Sequence, residues 1–126
     1  MWVAEIERFR YPVSETIRTH AMTFPKTEEG MSCVNRAFSA GGKNFLFLGE
    51  KEDECSLRLK VADSIPELQA LANQDAERWQ VGKAGWALLR FPPDDAPAPA
   101  DLARWVTESF LLLAPKKVSA LLDRSE

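Results

Sequence analysis

From Cys55 to Val61, apolar and polar residues alternate. Leu57, Leu59 and Val61 fall on one side, and Ser56, Arg58 and Lys60 on the other. This period of two predicts a strand with one face in a core and the other toward water. Met31 to Ser39 reads as an earlier strand. Ala40-Gly41-Gly42 then supplies the positive-φ residues of a hairpin turn. Lys43 to Leu48 carries apolar residues on both faces, which places it centrally in a sheet. Gly49 through Glu54 reads as a charged turn. Arg78–Val81 and Trp86–Phe91 read as two further strands across Gly82-Lys83-Ala84-Gly85.

A different period marks the helices. Tyr11-Pro12 opens a helix over Val13–Met22 that Pro25 ends, while residues 1–10 fit a short helix and a strand equally. Ser64-Ile65-Pro66-Glu67 has the form of a capping box, with Leu68, Leu71 and Ala72 forming a short apolar stripe to about Gln74. The strongest helical pattern runs from Ala100 to Leu113. There Leu102, Trp105, Val106, Ser109, Leu112 and Leu113 recur at three- and four-residue spacing. Trp105 and Leu112 are expected to be buried on this helix, which covers Leu57, Leu59 and Val61. Pro115 breaks it, and Lys116–Asp123 forms a last helical segment. Pro92 through Pro99 is a stiff surface connection, because its prolines exclude helix and ladder alike. The expected order is α-β-β-β-α-β-β-α-α. This is an α+β fold with an antiparallel sheet of about five strands and helices packed on one face. Residues 1–126 form one domain, with 1–12 as an N-terminal extension.

Composition narrows the function. A chain of 126 residues, 45% hydrophobic and 28% charged, can bury a real core and stay soluble. Its net charge of −3 and pI of about 5.3 argue against a strongly electrostatic nucleic-acid binder, while leaving room for a local basic patch. Cys33 and Cys55 are too few for a disulfide scaffold and read as reduced thiols in a cytoplasm. No apolar run approaches the ~18 residues of a membrane span. The first eight residues carry acid early and lack a signal-peptide core.

Catalytic and metal chemistry find little support. Zinc sites want closely spaced pairs of nitrogen or sulfur ligands. The chain has one histidine, His20, and two separated cysteines, so no metal and no cofactor is expected. A nucleophile would have only His20 as an imidazole base, and cysteines inside strands usually pack as small apolar groups. Glu28-Glu29 and Asp94-Asp95 are paired acids in connecting segments, where solvation, capping or pairing with a nearby lysine is the ordinary role. Gly41-Gly42-Lys43 lacks the spacing of a phosphate loop and precedes a strand. An enzyme is therefore not expected.

The basic and aromatic residues of the sheet remain. Arg58 and Lys60 share a polar strand face, and Trp86, Leu88 and Arg90 alternate on another strand. Lys43 and Lys83 sit at hairpin turns, and Arg36 lies on the first strand. Where these faces coincide, the sheet presents cations that hold phosphates and an aromatic on which bases stack. The competing reading is an ordinary solvated face whose arginines cover apolar surface.

Several segments carry a family resemblance. They are Phe24-Pro25-Lys26-Thr27-Glu28-Glu29-Gly30, Ala37-Phe38, Gly41-Gly42-Lys43, Phe45-Leu46-Phe47-Leu48, Gly85-Trp86-Ala87-Leu88-Leu89-Arg90 and Leu113-Ala114-Pro115-Lys116-Lys117-Val118. In content and order they resemble the MmcQ/YjbR family of small bacterial DNA-binding-like proteins, over residues 14–122. The resemblance implies a frataxin-like fold whose paired hairpins are similar to the double-wing module of a phage transcription factor. Frataxin binds iron through an acidic first helix; here that helix has Glu15 as its only acid, so iron is disfavoured. The resemblance points to duplex DNA as the partner; the net negative charge and few cations make that binding weak and salt-sensitive, and a monomer is expected. Arg36, Lys43, Arg58, Lys60, Lys83, Trp86 and Arg90 are its candidate contacts. Another protein or a small anion, held by the same face, is the alternative partner. Lys116-Lys117 is expected to complement the dipole of the helix before it, with a phosphate contact as the alternative.

Overall fold

The computed structural model describes residues 9–32 and 35–124. Its elements are α1 (Pro12–Ala21), β1 (Thr27–Ser32), β2 (Asn35–Ala40), β3 (Lys43–Lys51), β4 (Glu54–Lys60), α2 (Ile65–Gln74), β5 (Trp79–Val81), β6 (Trp86–Phe91), α3 (Pro99–Leu113) and α4 (Lys116–Arg124). The six strands form one antiparallel sheet in the order β1-β2-β3-β4-β6-β5, open at both edges. The fold is α+β, as the alternating and helical periods require, with one strand more than the five expected.

The extra strand is β1, which begins at Thr27, ahead of the expected Met31. Instead of one strand over Met31–Ser39, the chain makes a hairpin of β1 and β2. Cys33 lies outside the described residues, as does the start of the N-terminal extension. The segment expected as a charged turn, Gly49–Glu54, is mostly strand. β3 runs on to Lys51, and the turn tightens to Glu52-Asp53, with Asp53 at φ 61°. Tyr11 clasps this turn: its hydroxyl donates to Lys51 O at 3.0 Å and accepts from Asp53 N at 2.9 Å.

One face of the sheet builds the core. Leu46, Leu48, Leu57, Leu59, Ala87, Leu89 and Phe91 point toward the helices and are buried, together with Ile17, Leu68, Trp105, Phe110 and Val118. Phe24, Phe45 and Phe110 stack and cross at 4.5–6.0 Å between ring centroids. Trp79 meets Trp105 edge to face at 5.8 Å. Leu57 and Leu59 are fully buried and Val61 nearly so, as their alternation predicts.

Leu112 corrects one expectation. It is 43% exposed, and Phe110 is buried in its place. The buried stripe of α3 is Leu102, Trp105, Val106, Ser109 and Phe110. At 3.6 residues per turn this stripe continues through Leu113, and Leu112 falls on the outer side.

The start of α2 also differs in mechanism. Ser64 stands at the N-cap but makes no side-chain cap bond. Its hydroxyl donates to Glu108 at 2.6 Å, and the Glu108 carboxylate accepts from the backbone N–H of Ala62 and of Ser64. A carboxylate from α3 thus caps the helix from a distance. Glu67, the other half of the expected box, pairs with Arg104 at 2.8 Å and accepts from the Trp105 indole at 3.3 Å.

Gly85 holds the β5–β6 turn against the end of β4. Its φ is +99°, and a Cβ there would lie 2.1 Å from Val61 O, so only glycine fits. Val61 N donates to Gly85 O at 2.9 Å across the same contact.

Candidate nucleic-acid interface

The helices leave the second face of the sheet open. Strand register assigns its rows. One row runs Ala37–Phe47–Arg58–Leu88–Gln80, the next pairs Lys60 with Trp86, and on the other side Ser56 pairs with Arg90. Phe47, Trp86 and Leu88 are apolar yet stand outside the core cluster. Each is only partly buried. The Arg58 guanidinium lies 5.4 Å from the Trp86 ring centroid, a cation–π contact that places both groups on this face. Arg58, Gln80, Val81, Gly82, Trp86 and Leu88 line a shallow groove of about 470 Å³ beside it.

Four arginines are neutralised within the fold. Arg18, Arg36, Arg78 and Arg104 are all ion-paired. Among the described residues, Arg58, Lys60 and Arg90 form no ion pair. The residues that alternate onto the open face from Ser56 to Lys60 and from Trp86 to Arg90 include no carboxylate. A net charge of −3 therefore coexists with a locally cationic surface.

The structure sorts the seven candidate residues. Arg58, Lys60 and Trp86 come together. Lys43 and Lys83 occupy the β2–β3 and β5–β6 turns, and register puts both turns at the Lys60 end of the sheet. Arg90 is on the same face at the opposite end. There it lines a second cleft of about 460 Å³ with Asp53, Glu54, Asp75, Glu77 and Arg78. Arg36 is not on the open face at all. It pairs across β2–β3 with core-facing Leu48, is 8% exposed, and binds Glu29 at 2.7 Å.

Glu29 explains that placement. It sits opposite buried Phe38 on the helix side of the sheet, and Arg18 of α1 reaches it at 2.8 Å. A carboxylate only 7% exposed requires such partners. Glu29 thus does structural work, with arginines in place of the expected lysine, while Glu28 is exposed.

Two functional candidates were hidden in the sequence. Phe47 belongs to a strand apolar on both sides, and that feature was its signal. Gln80 lines the groove but carries no local signature. Lys116 and Lys117 open α4 and make no side-chain hydrogen bond or ion pair among the described residues. A Cβ on Gly41 would meet Pro115 at 2.8 Å and Val118 at 3.2 Å. The start of α4 therefore lies against the β2–β3 turn that carries Lys43.

Other polar groups are engaged within the fold. His20 Nε2 lies 3.1 Å from Ala103 O and 3.0 Å from Thr107 Oγ1. Thr107 already donates its hydroxyl proton to Ala103 O at 2.8 Å. The imidazole therefore donates from Nε2, and burial lowers its pKa below the ordinary histidine value. Cys55 is a buried free thiol, 3.5 Å from Ser14 Oγ, and burial raises its pKa. Among the described residues no group of three or more His, Cys, Asp or Glu side chains is placed to hold a metal ion. No helix among them is long and apolar enough to cross a membrane.

A scan against protein-family models finds no match to this chain, and a search of curated proteins finds none either.

Proposed function

We propose that this protein is a non-enzymatic, cytoplasmic nucleic-acid-binding module that engages DNA through the open face of its sheet. The observation that carries this reading is the placement of two cations without ion-pair partners, Arg58 and Lys60, beside the partly exposed Trp86. Arg18, Arg36, Arg78 and Arg104 are neutralised by carboxylates within the fold, whereas Arg58 and Lys60 stand beside an aromatic ring without one. Phosphate oxygens supply the missing negative charge, and the indole offers a stacking surface. Lys43 and Lys83 extend the contact at one end. Arg90 contributes less, because acids share its cleft. The resemblance to MmcQ/YjbR proteins points the same way.

Three to five neutralised phosphates give a slope of log affinity against log salt of about −3 to −4.5 on duplex DNA. The test is fluorescence anisotropy of a labelled DNA across a salt series, on the wild type and on a variant with Arg58, Lys60 and Arg90 all changed to Ala. Circular dichroism checks that the variant folds. Loss of most binding in the variant is the expected result. No binding by the wild type at ~50 mM salt, or equal binding by the variant, removes the reading. A protein partner docked on Phe47, Trp86 and Leu88 then becomes the better account of the face.

A further inference from the structure

The open face also indicates which form of nucleic acid it takes. We infer that the groove receives an unpaired nucleobase of a single strand, stacked on Trp86 beside Arg58, with neighbouring phosphates on Lys60 and Lys83. This rests on the nucleic-acid reading above and narrows it.

The first argument is shape. Six strands at about 4.8 Å spacing span about 24 Å, twice the ~12 Å width of a B-DNA major groove. A two-stranded ribbon would fit that groove, but the β5–β6 hairpin is not a free ribbon. Trp79, Val81, Ala87 and Leu89 are tied into the core on its inner side, and α2 packs against β5. The hairpin lies flush with the sheet, and only the Gly82–Ala84 turn extends past its paired strands. Trp86 stands on the surface of the sheet and cannot reach base edges inside a duplex.

The second argument is chemistry. A duplex covers its base faces by stacking and offers a flat sheet only sugar and phosphate. Lysines suffice for that contact; a partly exposed indole with Leu88 two residues along the same strand does not help it. Trp86 and Leu88 on β6, with Phe47 on β3 beyond Arg58 of β4, give the face apolar surface that matches the π-face of an exposed base. Gln80 stands at the groove wall, where its amide both donates and accepts and so can meet a base edge. The missing side chain at Gly82 leaves one wall low. The acidic cleft at the Arg90 end repels phosphate, so the strand runs over the Lys43, Lys60 and Lys83 end of the face.

The experiment compares three 5′-labelled probes by anisotropy at one low salt concentration: single-stranded dT12, the same strand with abasic residues replacing its bases, and a 12-base-pair duplex. Wild type, Trp86→Ala and Trp86→Phe are measured with each. The expected result is dT12 bound at least about tenfold more tightly than the duplex. Removing the bases, or changing Trp86→Ala, should weaken dT12 binding by about 5- to 150-fold. Trp86→Phe should restore most of it. If Trp86→Ala fails to fold, the abasic probe on wild-type protein decides alone. Equal affinity for dT12, the abasic strand and the duplex overturns this inference and leaves phosphate binding by the face intact. No binding of any probe overturns the nucleic-acid reading with it. A matching oligoribonucleotide tells RNA from DNA by its added 2′-hydroxyls.

Discussion

Ser109→Ala should be among the most damaging single-atom deletions in this protein. Ser109 is fully buried on α3, and its hydroxyl fills a break in the sheet. The β3–β4 ladder ends at Leu46 opposite Leu59. At the next rung Ser109 Oγ donates to Phe45 O at 2.6 Å and accepts from Lys60 N at 2.9 Å. The wedge frees Phe45 to turn inward onto Phe24 and Phe110. Alanine leaves both backbone groups without that partner, Phe45 O in the core and Lys60 N partly buried. Each orphaned group costs about 1–3 kcal/mol. Partial reclosure of the rung recovers some of that, so we expect a net loss of about 2–4 kcal/mol. A domain of this size has only about 5–15 kcal/mol in total. Urea denaturation followed by circular dichroism should show a lower midpoint with an unchanged slope. Ser119→Ala is the control: it removes only an exposed hydroxyl bond to Lys116 O at 3.3 Å and should change stability by less than about 0.5 kcal/mol. A loss that small for Ser109→Ala as well would refute the wedge.

Leu59→Ala should cost about 2–5 kcal/mol because the side chain is fully buried, whereas Leu112→Ala, at 43% exposure, should cost under about 1 kcal/mol; urea midpoints distinguish the two. Burial works against ionisation of Glu108, but hydrogen bonds from the Ser64 hydroxyl and from the backbone of Ala62, Ser64 and Asp63 outweigh it and hold its pKa below the ordinary 4.5. Its contribution to stability is therefore complete above about pH 4.5 and is lost as the pH falls through the lower folded value. Glu108→Gln should be less stable at neutral pH and should show a flatter acid limb. His20 is the chain's one histidine, so its ring resonances titrate without overlap, and the midpoint should lie below 6.5. A depressed histidine pKa makes the fold lose stability as pH drops below about 6.5, and a midpoint at or above that value would contradict its burial against α3.

How far the sequence discloses this molecule depends on whether local pattern or distant pairing sets each element. β4 is legible because one of its faces meets the core and the other meets water. α3 is legible because its stripe keeps helical period, and Leu112, apolar but one step off that stripe, falls outside it. β1 has no such signal. Its inward Glu29 is polar, and only Arg18 from α1 and Arg36 from β2 make that position tolerable. Arg36 follows for the same reason: nothing near it in sequence tells which side of the sheet it takes. The grouping of Arg58, Lys60 and Trp86 needed the β4–β6 register, and α2 and β5 separate those strands in the chain. Phe47 was legible as an apolar residue on a doubly apolar strand, but its exposure depends on which face the helices leave bare.

The most direct measurement of the central claim is a ¹H–¹⁵N correlation spectrum of the uniformly labelled protein titrated with dT12 at ~50 mM salt. The expected result is movement of the Trp86 indole N–H and of backbone amides from Ser56 to Lys60, Gly82 to Lys83 and Trp86 to Leu88. The indoles of Trp79 and Trp105, which are packed against each other on the helix side, should stay in place. Shifts confined to α1, α3 and α4, with β4 and β6 silent, would put the binding surface on the wrong side of the sheet.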